Sequence, residues 1–294
     1  MITKFGKRFI TSYMANGDLF KEKDIAIGIG TTAESANDTD LEFEFYRSGV
    51  FLGSSDIQTS TSTGLTTYSV VYKTTLPTDV EGVISEIGLY PAVSAQDTDY
   101  SSQYISAFDE PVLWYDSNGE PPVLITSPQP KISSASFSLS ADAGEYNSYK
   151  LNTEFDISGY GSEDYLNIAF NQIDLNLDYV FVKFYSSPSA YKEVRFLASN
   201  TTGNKTVKTL FSNVLNSEYS SVEPTDFSAI TLIEVGIKAD TGNTEVLLDA
   251  LRINDNDNYN TQYGLISRSV LSTPIIKRLG VEMDIEYKLN LGFL

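Results

Sequence analysis

Near its C-terminal end the chain alternates without a break. Ile285, Tyr287, Leu289 and Leu291 fall on one face of an extended segment, and Asp284, Glu286, Lys288 and Asn290 on the other. Successive side chains of a strand point to opposite faces, so this spacing predicts a half-buried strand that needs a sheet to complete it. The same period of two sets Leu41, Phe43 and Phe45 against Glu42, Glu44 and Tyr46. It also sets Tyr68, Val70, Tyr72 and Thr74 against Ser69, Val71 and Lys73. Both stretches read as half-buried antiparallel strands. Between them the polar run SSDIQTSTSTG, residues 54–64, ends in glycine and fits a hairpin or a mobile loop.

A different period opens the chain. Ile2, Phe5, Phe9 and Tyr13 recur at steps of three and four with Lys4, Lys7 and Arg8 between them, and Asn16-Gly17 follows as a stop. This predicts a short amphipathic helix. Phe5, Phe9 and Tyr13 either pack on their own domain or dock on a neighbouring subunit, since terminal elements serve both purposes. Residues 92–130 are weakly patterned and hold Pro111, Pro121, Pro122, Pro128 and Pro130, a density that disfavours helix and central strand alike. They read as a connector, with room for a hairpin at Asn118-Gly119.

Fresh short strands then follow at 136–141, 149–157, 179–185, 193–199, 230–238 and 245–253, separated by Gly, Asn and Ser turns. That rhythm indicates a sandwich or jelly roll. The class is all-β. The domain map is 1–110, a connector at 111–130, a second β domain at 131–260 and closing strands at 261–294 that complete the first domain. The second domain is thus an insertion, which a surface loop with neighbouring ends tolerates well.

Composition narrows the chemistry. The chain has 294 residues, 41% of them hydrophobic and 12% aromatic, enough for two cores. Lys and Arg number 20 against 39 Asp and Glu, a net charge of −19 that repels phosphate backbones and anionic lipid. Nucleic acid and membrane insertion are therefore not expected. Cysteine and histidine are absent, which removes disulfides, thiolate nucleophiles, the Ser-His-Asp triad and most metal sites. No enzyme and no cofactor is expected. The N-terminal residues lack a signal-peptide apolar run, so the expectation is synthesis in, and retention by, a reducing cytoplasm unless a particle carries the protein out.

Three motifs invite chemistry. Gly28-Ile29-Gly30-Thr31-Thr32-Ala33 matches the dinucleotide fingerprint formally, but only ESANDTD separates it from the next strand, too short for a crossover helix. These glycines are read as serving a strand end and turn. In NDNDNYN, residues 254–260, Asp255 and Asp257 are oxygen ligands for a calcium ion or members of a solvated interdomain turn. Paired carboxylates for sugar hydrolysis are too numerous in so acidic a chain to carry a signal.

Three segments carry a resemblance. IAIGIGTTAESANDTDLEFEFYR at 25–47, VVYKTTLPTDVEGVISEIGLYP at 70–91 and LISRSVLSTPIIKRLGVEMDIEYKLNL at 265–291 together resemble the β-rich domain of bacteriophage tail-collar and tail-fibre attachment proteins. The likeness covers about a third of the chain and departs from the usual pattern by the insertion. The insert, through ITLIEVGIKADTGNTEVLLDALRIND at 230–255 and Asp249 within it, is similar to carbohydrate-binding-module or laminin-G-like jelly rolls.

What the resemblance implies is a collar-like β-sandwich interrupted by a projecting jelly roll. The implied protein is a homo-oligomeric, non-enzymatic virion component of tail, baseplate, neck or fibre-attachment region, made in the bacterial cytoplasm and contacting other virion proteins. The alternative is a glycan-binding receptor module. For that role Trp114, Tyr160, Tyr165 and Tyr191 are candidate sugar platforms, although such rings more often serve core or loop packing. A polysaccharide depolymerase would rest on acidic abundance alone, and the chain lacks the short repeats of a β-helical solenoid.

Overall fold

The computed structural model describes residues 1–16, 23–59, 66–91, 98–99, 104–127, 130–162, 164–254 and 264–293. The chain begins with α1 (Lys4–Asn16), β1 (Lys23–Gly28), β2 (Glu44–Gly49), β3 (Phe51–Thr59), β4 (Thr66–Leu76), β5 (Gly82–Pro91) and β6 (Thr98–Asp99). Next come β7 (Tyr104–Ser106), β8 (Trp114–Tyr115), β9 (Val123–Ile125), β10 (Ser136–Ala141), β11 (Tyr146–Phe155), β12 (Tyr165–Gln172), β13 (Leu177–Ser187) and β14 (Ala190–Leu197). The rest comprises β15 (Gly203–Leu210), α2 (Phe211–Leu215), β16 (Ile230–Ala239), β17 (Thr244–Asn254), β18 (Ser267–Lys277) and β19 (Met283–Phe293). The protein is all-β with a short N-terminal helix, and every named strand pairing is antiparallel. No helix among the described residues is long and apolar enough to cross a membrane.

Two compact units divide the chain. Met1–Ser101 and Asn260–Leu294 form a discontinuous unit, and Ser102–Tyr259 an inserted one. In the discontinuous unit one sheet runs β18-β5-β1-β2-β6 and another β19-β4-β3. β19 shows the alternation its sequence dictates, with Ile285, Tyr287 and Leu289 buried and Asp284, Glu286, Lys288 and Asn290 exposed. β5 behaves differently: all ten residues of GVISEIGLYP are buried, as a strand flanked on both edges and covered on both faces requires. Hydrogen bonds from Thr74 Oγ1 to Ser48 Oγ, 2.8 Å, and between Ser267 Oγ and Tyr287 OH, 2.8 Å, link the two sheets.

β2 departs from the half-buried expectation. Its Glu44 and Arg47 are buried, and they neutralise each other through two bonds of 2.7 and 2.8 Å while the guanidinium lies 3.9 Å from the centre of the Tyr90 ring. Leu41 and Phe43 are buried ahead of the strand, not within it. β3 pairs with β4, which places most of the polar run before residue 60 in a hairpin strand; residues 60–65 lie outside the described residues.

α1 docks on its own unit. Thr3 caps it, accepting from Gly6 N at 2.9 Å, and Thr3 N donates to Ile266 O at 3.1 Å. A Cβ at Gly6 would collide with the Ile266 carbonyl, and the Phe5 ring touches Gly264. Phe9 stacks on Phe5 at 6.1 Å and receives the Lys23 ammonium at 5.0 Å. The Tyr13 side chain lies outside what is described.

The inserted unit is a β-sandwich. One sheet runs β15-β12-β17-β10-β9, with β7 also on β17, and the other β14-β13-β16-β11-β8. A single core joins them, with Phe137, Leu139, Ile168, Phe170, Leu248 and Leu251 from the first sheet meeting Val180, Val182, Phe184, Phe196, Val235 and Ile237 from the second. The stretch 111–130, read as a connector, instead supplies β8 to one sheet and β9 to the other. Pro111 opens the 3-10 segment Pro111–Leu113 and Pro121 and Pro122 precede β9, so β8 and β9 themselves stay free of proline.

Candidate functional site

The dinucleotide-like glycines have a structural task. Glu86, at the middle of β5, is fully buried. Its Oε1 accepts from Gly30 N at 3.0 Å and Phe43 N at 3.1 Å, and its Oε2 from Glu42 N at 3.2 Å and Arg268 Nε at 2.9 Å. A Cβ at Gly28 would stand 2.6 Å from Glu86 Oε1, and one at Gly30 2.5 Å, so only glycine leaves room for the carboxylate. Arg268 also reaches Asp38 at 3.0 Å and Glu42 at 3.4 Å. Burial pushes the Glu86 carboxyl up, with Arg268 and the backbone donors opposing. Burial works to lower Arg268, but Glu86, Asp38 and Glu42 outweigh it and hold the guanidinium above its usual range. The GIG, SEIG and SRS pieces of the split signature thus meet at one node. Glu86 and Arg268 are closed to solvent there, and the node joins strands.

The open chemistry lies on the inserted unit. Val180, Val182 and Phe184 of β13, Val194 and Phe196 of β14, and Val235 and Ile237 of β16 point into the core. By the period of two, their neighbours point out from the second sheet. Register aligns these outward residues into rows: Tyr191 beside Tyr185 and Leu232; Glu193 beside Lys183, Glu234 and Lys150; Arg195 beside Phe181, Gly236 and Ser148; and Tyr179 beside Lys238 and Tyr146. Aromatic and charged side chains therefore tile this face.

Their contacts hold them in place. Tyr185 stacks on Tyr191 at 5.2 Å and donates to Glu234 Oε2 at 2.6 Å, while Ser148 donates to Glu234 Oε1 at 2.5 Å. Burial, then that carboxylate, push the Tyr185 phenol up, so it remains an O–H donor. Lys183 pairs with Glu193 at 3.3 Å and stands 4.7 Å from the Phe181 ring centre and 5.6 Å from that of Tyr191. Arg195 pairs with Glu193 too and is sandwiched between Tyr179, 4.5 Å, and Tyr219, 3.8 Å. A Cβ at Gly236 would strike the Phe181 ring, so the missing side chain lets that ring lie flat. Tyr146 is 57% exposed and Tyr219 41%, which keeps ring surface open at both sides of the face. Three strand spacings separate β11 from β14, roughly 14 Å.

The four proposed platform residues do not meet. Trp114 is 3% exposed and packs on Phe108 at 5.4 Å and Phe137 at 6.1 Å, which makes it core and corrects its reading as a sugar platform. Tyr160 leans on Phe211 at 5.5 Å beside the same core. Tyr165 belongs to β12 in the opposite sheet, under the Lys208 ammonium at 4.8 Å. Only Tyr191 sits on the tiled face. Asp255 and Asp257 lie outside the described residues, and among the described ones no group of three acidic residues is placed to hold a metal.

Asp249 is fixed in place as well. Its carboxylate accepts from Lys131 N at 2.7 Å and Ile132 N at 3.1 Å, pinning the strand-free segment before β10, and burial pushes it up to about 7. A cavity of about 490 Å³ opens near Tyr146 and is lined by Asp142, Glu145, Asp174 and Glu245. Asp174 is spent there on Asn176 N, Thr244 Oγ1 and Glu245 N.

No family model matches the chain, and no curated relative matches it. Among solved structures it is similar to a family 11 carbohydrate-binding module from Clostridium thermocellum in complex with a β-1,3-1,4-mixed-linked tetrasaccharide. That match has 12% identity and a TM-score of 0.38 over 52% of this chain and 94% of that one. An agarase matches at 15% identity and a TM-score of 0.38 over 53% of this chain, which spans only 26% of the agarase. The enzymatically active domain of bacteriophage CBA120 tailspike protein 4 matches at 9% identity and a TM-score of 0.29, covering 52% and 21%. Scores of this size pass no activity to this chain.

Proposed function

We propose that this chain is a non-enzymatic glycan-binding module on a structural mount, with the outward face of the β14-β13-β16-β11-β8 sheet as the binding surface. The observation that carries the reading is the set of exposed and half-buried rings on that face, Tyr146, Tyr185, Tyr191 and Tyr219, with hydrogen-bonding groups between them and the buried rings of Tyr179 and Phe181 beneath. Sugars offer apolar ring faces and a rim of hydroxyls. Held aromatic rings and fixed polar groups answer both at little entropic cost. A glycan array probed with the full chain tests it. Binding that falls on the order of tenfold in Tyr191→Ala and Tyr185→Ala supports the reading, and a silent array sinks it.

The second reading is a bacteriophage virion structural protein of tail, baseplate, neck or fibre-attachment region, assembled as a homo-oligomer with other virion proteins, its insert serving as decoration. The node at Glu86 and Arg268 favours it, because the three collar-like segments there act together as a purely structural joint. Labelled antibody to the inserted unit, imaged on particles, separates the readings from a free protein: no label on virions removes the virion assignment.

A further inference from the structure

The charge on the tiled face is opposite to that of the chain. Along β11, β13, β14 and β16 the outward positions carry four cations, Lys150, Lys183, Arg195 and Lys238, and three carboxylates, Glu193, Glu234 and, at the end of β11, Glu154. The chain as a whole carries −19. The two central carboxylates are consumed internally, Glu234 by Ser148 and Tyr185 and Glu193 by Lys183 and Arg195. Lys238 is held by the Gly144 carbonyl and the Tyr146 ring at 4.2 Å. Lys150 is half-buried between Glu234 and Tyr115 in the register, and its ammonium has no hydrogen-bond or ion-pair partner among the described residues.

From this we infer that the glycan taken by this face is acidic, a polysaccharide bearing carboxylate or sulfate groups, with Lys150 as the cation that meets the anionic group. The inference rests on the glycan reading above and sharpens it to a ligand class. A neutral glycan would leave the positive excess unanswered, whereas an anionic one is drawn by a local field that the rest of the chain does not supply. Nucleic acid, the other polyanion with stacking faces, meets the same long-range repulsion from the chain as an acidic glycan and is therefore made an outcome of the test.

The experiment uses the full chain and four probes: alginate, dextran sulfate, a neutral mixed-linkage β-glucan and a single-stranded DNA oligonucleotide, each titrated at low and at high salt. The result expected is tighter binding to alginate or dextran sulfate than to the neutral glucan, weakening as salt rises. Lys150→Gln should lower the acidic-glycan affinity by up to about fivefold, Lys150→Glu should lower it further, and Lys150→Arg should hold it near the parent value. The arginine variant keeps the test valid if the glutamate variant folds poorly. Equal or better binding of the neutral glucan overturns the inference and leaves the glycan reading standing. Binding of no glycan overturns both. DNA binding as tight as alginate binding marks a general polyanion surface and overturns the assignment to glycans.

Discussion

The two units use their ion pairs differently. The discontinuous unit takes them inside: Glu86 with Arg268 and Glu44 with Arg47 are all buried. The inserted unit buries Arg252, Asp249 and Asp164 beside an apolar core cluster, and gathers the ion pairs of Glu193 with Lys183 and Arg195 on one outer face. A buried ion pair is weak as a source of stability but costly to break, and it accepts only one geometry. A surface lattice of ion pairs is cheap to rearrange and can meet a ligand. The difference teaches where to look for function: under the proposed reading, the unit that locks its ion pairs is the mount and the one that displays them is the binding element.

The largest effects should break this contrast from both sides. Arg268→Ala leaves the buried Glu86 with its three backbone donors but no cation, and should cost the discontinuous unit about 3–5 kcal/mol, seen as faster hydrogen exchange of β5 and β18. Burial already raises Glu86. Without Arg268 its folded pKa rises further above the unfolded value, so the deficit should shrink as pH falls toward about 4.5 and grow as pH rises. Phe137→Ala should cost the inserted unit a similar 3–5 kcal/mol with no such pH dependence. Trp114, the single tryptophan of the chain, packs on Phe137 and reports that unit by fluorescence.

Smaller effects sharpen the contrast. Gly30→Ala pushes a methyl against Glu86 and should cost about 1–3 kcal/mol, whereas alanine at Gly144, where a Cβ would meet nothing within 4 Å but φ is +74°, should cost about 1 kcal/mol or less through backbone strain alone. Asp249 gives the inserted unit a pH lever of its own. Its folded pKa stands at about 7, above the unfolded carboxylate value, so the proton is held more tightly in the folded state. Denaturation midpoints of this unit should therefore rise as pH is lowered from about 7 toward about 4, and Asp249→Asn should flatten the slope. Least of all, Tyr191→Ala should move stability by less than about 0.5 kcal/mol while lowering glycan affinity.

What the sequence made legible follows the physics of each element. β19 could be read residue by residue because one face is wet and the other dry. β12 went unread, since Tyr165–Gln172 is buried almost throughout, including Asn167, and shows no period. The split domain was legible from order and spacing, but its joint was not, because a glutamate and an arginine 182 positions apart look like ordinary surface charges. One signal was available: Glu86 interrupts an otherwise apolar strand, and charge in such a strand demands a partner. The tiled face was hidden in YVFVKFY, an apolar run whose alternate members, Tyr179, Phe181, Lys183 and Tyr185, turn out of the core. Trp114 misled because it is the rarest and most conspicuous ring, and such rings fill cores as readily as they line sites.

The joint between Glu86 and Arg268 also sets a clock. A ribosome adding about 5–20 residues per second reaches Arg268 roughly 10–40 s after Glu86. Throughout that interval β1, β2 and β5 exist without the guanidinium that neutralises their central carboxylate. The strands of the inserted sandwich are all synthesised by Asn254, inside this interval. The earlier-made strands of the discontinuous unit are therefore finished after the inserted unit has its full set. A released chain truncated just before residue 265 should hold a protease-resistant sandwich on an N-terminal segment still open to cleavage.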